Sequence, residues 1–182
     1  AGSEGAGAGG AAQVQEGEIQ LAGLAKLPEA KAAQRVFSSK LFHSVGASRA
    51  KLVHRVIAEV LGGRWLARQA KTPRLQRRLL AQLHGRSGVP ASLRGLQAWL
   101  AYHNDEMASS IIAADPYGLL RYGEISALKL SHAEELFQEL CNLAGNDTYF
   151  RAADWDRKTA AGLMIPKLSP KIKEIIETTT SN

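Results

Sequence analysis

Apolar residues recur at helical spacing along most of the chain after residue 28. Pro28–Glu29 opens a predicted helix over 29–42, rich in Ala, Lys, Gln and Arg. Ser48 is the predicted cap of a second helix, whose apolar positions Leu52, Val53, Val56, Ile57, Val60 and Leu61 share one face with Lys51 and Arg55 opposite. Gly62–Gly63 is its predicted stop. Thr72 followed by Pro73 makes a cap and first-turn pair. The helix it opens carries Leu75, Leu79 and Leu83 at four-residue steps and ends at Gly85. Arg74, Arg77 and Arg78 lie opposite that stripe.

Pro90 opens the next helix, with Leu93, Leu96, Trp99 and Leu100 as its apolar positions, running to His103. After a break at Asn104 the helical pattern resumes over 104–114, and Asp115–Pro116 marks a turn. Ser131 with Glu134 reads as a capping box before Leu136, Phe137, Leu140 and Leu143, with Gly145 as terminator. Ser169–Pro170 starts a final helix through Ile172, Ile175 and Ile176. No run alternates apolar and polar residues over six positions, and no Asn-Gly hairpin turn occurs.

The pattern predicts an all-α protein: a single compact bundle of about seven helices over residues 28–182, with a basic half over 28–103 and an acidic half over 104–182. Residues 1–27 read as a disordered or weakly ordered tail. The first stretch of it, AGSEGAGAGGAA, holds five Gly and five Ala and no large apolar side chain to offset the entropy of ordering. At 182 residues with 45% hydrophobic residues, the chain suits one domain with a tail. Its single cysteine excludes an intramolecular disulfide framework and an all-cysteine metal site. No basic and apolar leader precedes the chain's first helix, so the expected setting is an intracellular, reducing compartment, bacterial cytoplasm or organelle matrix. No apolar run approaches the roughly 18 residues of a membrane-spanning helix.

Charge changes the picture more. The net +6 hides three blocks. Residues 1–30 carry −3, residues 31–100 carry fourteen Lys/Arg against the single acid Glu59, and residues 101–182 carry −4. A run of +13 over 70 residues calls for an external polyanion or an internal acidic partner, because like charges crowded together repel. The acidic C-terminal third is the internal alternative.

Lys51, Arg55, Arg64, Arg68, Lys71, Arg74, Arg77, Arg78, Arg86 and Arg94 are the expected phosphate-contacting residues. Arginine's planar fork matches a phosphate bidentately, which favours it over lysine for this task. Trp65, between Arg64 and Arg68, is the expected base-stacking residue. Trp99 reads as core, and Trp155, between Asp154 and Asp156, reads as a helix anchor or protein contact. The segments 73–84 and 90–103 also have the spacing of two helices around a glycine-containing turn, the outline of a helix-turn-helix. However, Arg86 and Arg94 fall where that motif packs apolar residues.

Catalytic chemistry finds little support. His103 with Asp105 and Glu106, or His132 with Glu135, are metal-ligand types without metal-site spacing. The glycine-rich turns at 62–64 and 85–88 follow no strand and contain no phosphate-loop signature. Cys141 sits among apolar neighbours, and Ser109–Ser110 lack a nucleophile elbow. The expectation is a non-enzymatic helical protein with no cofactor or metal that binds RNA or DNA backbone, as a ribonucleoprotein component or a DNA-binding regulator. The alternative is a scaffold or adaptor subunit whose basic helices dock on an acidic protein partner or an anionic membrane surface.

Overall fold

Residues 18–21, 29–46, 48–85, 88–147, 149 and 162–180 are described by a computed structural model. They fall into two units, residues 1–55 and 56–182. The protein is mostly helical, as its periodicity predicts. Of residues 1–27, expected to be a tail, 18–21 are described and Glu18–Gln20 form a short paired strand instead, while 1–17 and 22–27 lie outside the described residues, as do Arg86 and Trp155.

The first unit departs locally from the helical pattern. It contains β1 (Glu18–Gln20), α1 (Ala30–Phe37), β2 (Phe42–Val45) and β3 (Arg49–Leu52), with the strands in an antiparallel sheet ordered β1-β3-β2. The predicted helix over 29–42 stops at Phe37, where the Ser38 hydroxyl donates back to the Gln34 carbonyl. The predicted helix from Ser48 is replaced at its start by β3. Gly46 explains the turn: its φ of +69° lies in the left-handed region, and the short connection from Val45 to Arg49 closes a hairpin. A three-residue glycine-containing loop is itself a hairpin signal, weaker than Asn-Gly. Ala50, paired with Ile19 and Ser44, is buried at the sheet centre. The Phe37 and Phe42 rings pack at 4.6 Å between centroids.

The second unit is helical. Its elements are α2 (Arg55–Gln69), α3 (Pro73–Leu83), α4 (Arg94–His103), α5 (Asp105–Ala114), α6 (Pro116–Tyr122), α7 (Leu130–Asn146) and α8 (Ser169–Thr180), with single 3-10 turns at Ile125–Ala127 and Pro166–Leu168. Capping chemistry sets several boundaries. The Leu75 amide donates to Thr72 Oγ1 at 3.3 Å, Met107 N to Asn104 Oδ1 at 3.1 Å and Gly118 N to Asp115 Oδ1 at 2.9 Å. Asp115–Pro116, expected as a turn, is therefore the start of α6. The Ser131–Glu134 box does not form, because α7 begins two residues earlier, with Lys129 at its cap position.

The core lies in α4 to α7, with Leu100, Met107, Ile111, Ile112 and Leu136 fully buried and Leu168 closing one side. Those apolar positions come mainly from the acidic half of the sequence. The basic helices α2 and α3 join this core through Leu66, Ala67, Ala70, Leu79, Leu80 and Leu83, so their other faces are left to solvent.

Candidate nucleic-acid interface

The position of α2 is fixed by glycines. Gly62–Gly63 does not end the helix, which continues to Gln69. A Cβ at Gly63 would meet the Leu100 nitrogen at 2.8 Å and the Trp99 carbonyl carbon at 2.8 Å, and one at Gly62 would meet Leu96 Cδ1 at 2.8 Å. Each mid-helix glycine costs roughly 0.5–1 kcal/mol of helix propensity. Close packing against α4 compensates, and this tertiary contact overrides the local stop signal. One turn earlier, Glu59 is buried with its carboxylate directly over Gly95 near the N-terminus of α4, where a Cβ would meet it at 2.3 Å. The single acid of the basic block is thus turned inward, toward the positive end of a helix dipole.

Opposite this contact, α2 presents Leu61, Arg64, Trp65 and Arg68 to solvent. Lys71 follows in the link to α3, and Arg74, Arg77 and Arg78 occupy the outward face of α3. Arg77 Nε donates within its own helix, to the Pro73 carbonyl at 3.4 Å. On the inward face of α3, the buried Gln76 amide donates to the Ala70 carbonyl at 3.2 Å and to the Glu106 carboxylate. That cross-link from α3 to α5 carries no apolar signature, so the hydrophobic pattern gave no sign of it.

The described acids of the C-terminal third do not pair with this face. Among the described residues, no carboxylate lies within ion-pair distance of Arg64, Arg68, Lys71, Arg74, Arg77 or Arg78. Several acids of α5 to α8 have other partners: Asp105 holds Lys129 and His132, Glu135 accepts from Ser109, Glu174 pairs with Lys171 and Glu177 with Lys173. Arg94, also in the basic block, differs from these six: its Nε lies 2.9 Å from the buried Asp115 carboxylate. Arg94 is therefore tied into the fold, apart from the open surface. Lys51 and Arg55 belong to the first unit; Lys51 is half-buried in β3 opposite Glu18 and His43.

No family model, curated protein or solved structure matches this chain.

The aromatic residues divide as their surroundings dictate. Trp65 is 60% exposed. Trp99 is half-buried and meets Tyr102 edge-on at 5.9 Å, and Tyr102 meets His103 at 4.8 Å. Burial, then the positive charges of Arg64 and Arg68, hold the His103 imidazole below its ordinary pKa of 6.5. That electrostatic effect ties the end of α4 to the same arginine pair on α2.

Some apolar residues face differently from their sequence pattern. Val53, Val56 and Leu61, read as one core face, are all exposed; Val53 precedes α2, and Val56 and Leu61 turn away from its packed face, which is built on Gly63, Leu66 and Ala67. Leu75, read as part of the inward stripe of α3, is also exposed, while Leu79 and Leu83 pack.

The remaining chemistry is spare. The link between α3 and α4 spans residues 84–93 and contains a tight Gly85–Gly88 bridge, so the two helices lack the short turn of a helix-turn-helix. Among the described residues no group of three or more His, Cys, Asp or Glu could hold a metal ion. Burial pushes the Cys141 thiol above its ordinary pKa, which opposes thiolate formation. No helix among the described residues is long and apolar enough to cross a membrane.

Proposed function

We propose that this protein is a non-enzymatic nucleic-acid-binding protein whose α2–α3 surface holds the phosphate backbone. The observation that supports this reading is the row of outward cations from Arg64 to Arg78, none of which faces a carboxylate of the described residues. Arg64 with Arg68, and Arg74 with Arg77 and Arg78, stand three or four residues apart, where like charges on one helix face are mutually unfavourable. Docking a polyanion relieves that repulsion and releases its condensed counterions.

Fluorescence anisotropy of labelled RNA and DNA across a salt series tests the reading. With six to ten phosphate contacts, affinity falls roughly 10³–10⁵-fold between 50 and 200 mM salt. Arg74, Arg77 and Arg78 changed together to Ala lower affinity across all sequences. They also flatten the salt dependence, by a slope of roughly 0.9 for each phosphate no longer neutralised. Unaltered affinity in that triple variant, with an unchanged circular dichroism spectrum, refutes it.

A second reading draws on Leu61 and Leu75, exposed apolar side chains on the same two helices. Cations beside aliphatic residues also suit an adaptor that docks on an acidic protein or an anionic membrane surface. Co-sedimentation with anionic vesicles, in a protein that ignores oligonucleotides, favours that alternative.

A further inference from the structure

We infer that Trp65, flanked by Arg64 and Arg68, is a stacking platform for an unpaired nucleobase, so that the polyanion this surface accepts is a single strand. The inference rests on the nucleic-acid reading above and narrows it to one substrate class.

A tryptophan exposed to 60% is unusual on a helix that already packs through another face. Among the described residues no aromatic ring pairs with its indole and no cation sits over it. The aromatic pairs there are Phe37–Phe42, Trp99–Tyr102 and Tyr102–His103, and the cation over a ring is Arg121 at Tyr122. The indole is thus largely exposed and without a ring or cation partner among the described residues, with one guanidinium beside it in sequence and another three residues on. That arrangement joins the two components of single-strand recognition: cations that track the backbone and an aromatic face for the bases. A second partly exposed ring, Tyr102, is 40% exposed on α4 next to His103, the residue on which Arg64 and Arg68 act.

Strandedness follows from what a ring can reach. In a duplex, the bases are stacked on one another, so an exposed indole gains nothing and only the arginines contribute. In a single strand each base offers a free face. Trp65 should then discriminate between the two forms, whereas the α3 arginines should serve both equally.

The test uses the full chain with a labelled uridine 15-mer, a thymidine 15-mer and a duplex of equal length at fixed low salt. Trp65→Ala weakens single-strand binding by roughly 5–100-fold, the range expected when one base is no longer stacked. It leaves duplex affinity within twofold. Trp65→Phe restores most of the single-strand affinity, since a phenyl ring still stacks, and it removes the Trp65 quenching that stacking predicts on binding. Comparing the uridine and thymidine strands decides between RNA and DNA as the source of the base. Because Trp65 is exposed, its replacement leaves the thermal unfolding midpoint in place.

Three results overturn the inference. Equal losses on single strand and duplex make Trp65 a general contact. No loss in Trp65→Ala, while the Arg74, Arg77, Arg78 triple variant still loses affinity, rejects stacking and keeps the phosphate surface. Binding of the wild-type chain to anionic vesicles only, with no oligonucleotide bound at low salt, rejects both readings together.

Discussion

Gly63 and Leu100 stand so close that a Cβ on the glycine would lie 2.8 Å from the leucine nitrogen. Helices α2 and α4 therefore meet backbone to backbone, and the outward face of α2 is held by a contact that no larger residue permits. Gly63→Ala should separate the helices and destabilise the protein by about 1–3 kcal/mol, the usual cost of overpacking. Gly145→Ala is the control: it lies in α7 with nothing within 4 Å of the added methyl, and should be neutral or stabilising by about 0.4–1 kcal/mol. Urea denaturation of both variants checks the pair, and equal stabilities would reject the close-approach account.

Arg94 should behave unlike the other arginines. Its guanidinium meets Asp115, which also caps α6 through the Gly118 amide. Asp115→Ala removes both interactions at once and should cost about 1–3 kcal/mol, from the missing cap and the unpaired neighbour. Arg94→Gln should lower stability while leaving oligonucleotide affinity within twofold. A large fall in affinity at unchanged stability would return Arg94 to the binding surface.

The pH response of His103 follows from its depressed pKa. Burial and the Arg64 and Arg68 charges favour the neutral imidazole in the folded state. As pH falls below 6.5, the unfolded chain takes up a proton before the folded one does. This group's contribution to stability is complete above that pH and declines below it, until the folded imidazole also protonates. Proton NMR titration should place His103 below 6.5 in the wild type, and higher in Arg64→Ala and in Arg68→Ala. Anion binding at the same arginines should raise it as well. By reciprocity, oligonucleotide affinity should then rise as pH falls through that range. A His103 titration indifferent to both arginines would sink the prediction.

Cys141 should be slow to react. Its thiol is partly buried on α7, and burial raises its pKa. Iodoacetamide at pH 8 should modify the folded protein more slowly than the urea-unfolded chain, as followed by mass spectrometry. Equal rates would mean that the thiol is open to solvent.

What was legible in the sequence was what short-range physics dictates. The 3.6-residue recurrence of Leu and Ile marked most helices of the second unit but not α6, and Thr72–Pro73 and Asn104 marked boundaries, because a cap acts on amides within one turn; Ser169–Pro170 marked the start of α8. The charge blocks were visible by inspection, and with them the outward arginines of α3. The strands β2 and β3 were not, since four-residue strands around a Gly46 turn are too short to show a period.

Decisions that belong to the tertiary structure are those made by contacts distant in sequence. Gly62–Gly63 reads locally as a helix stop, and it becomes mid-helix only because α4 comes close enough to favour the missing side chains. Leu61 and Leu79 look alike in sequence, yet one faces water and the other packs, because α2 turns its small-residue face to α4. Arg94 and Arg78 look alike too, until Asp115 claims one of them. Composition fixes how much charge and apolar surface the chain carries; only the packing of distant helices determines which of it is left facing outward.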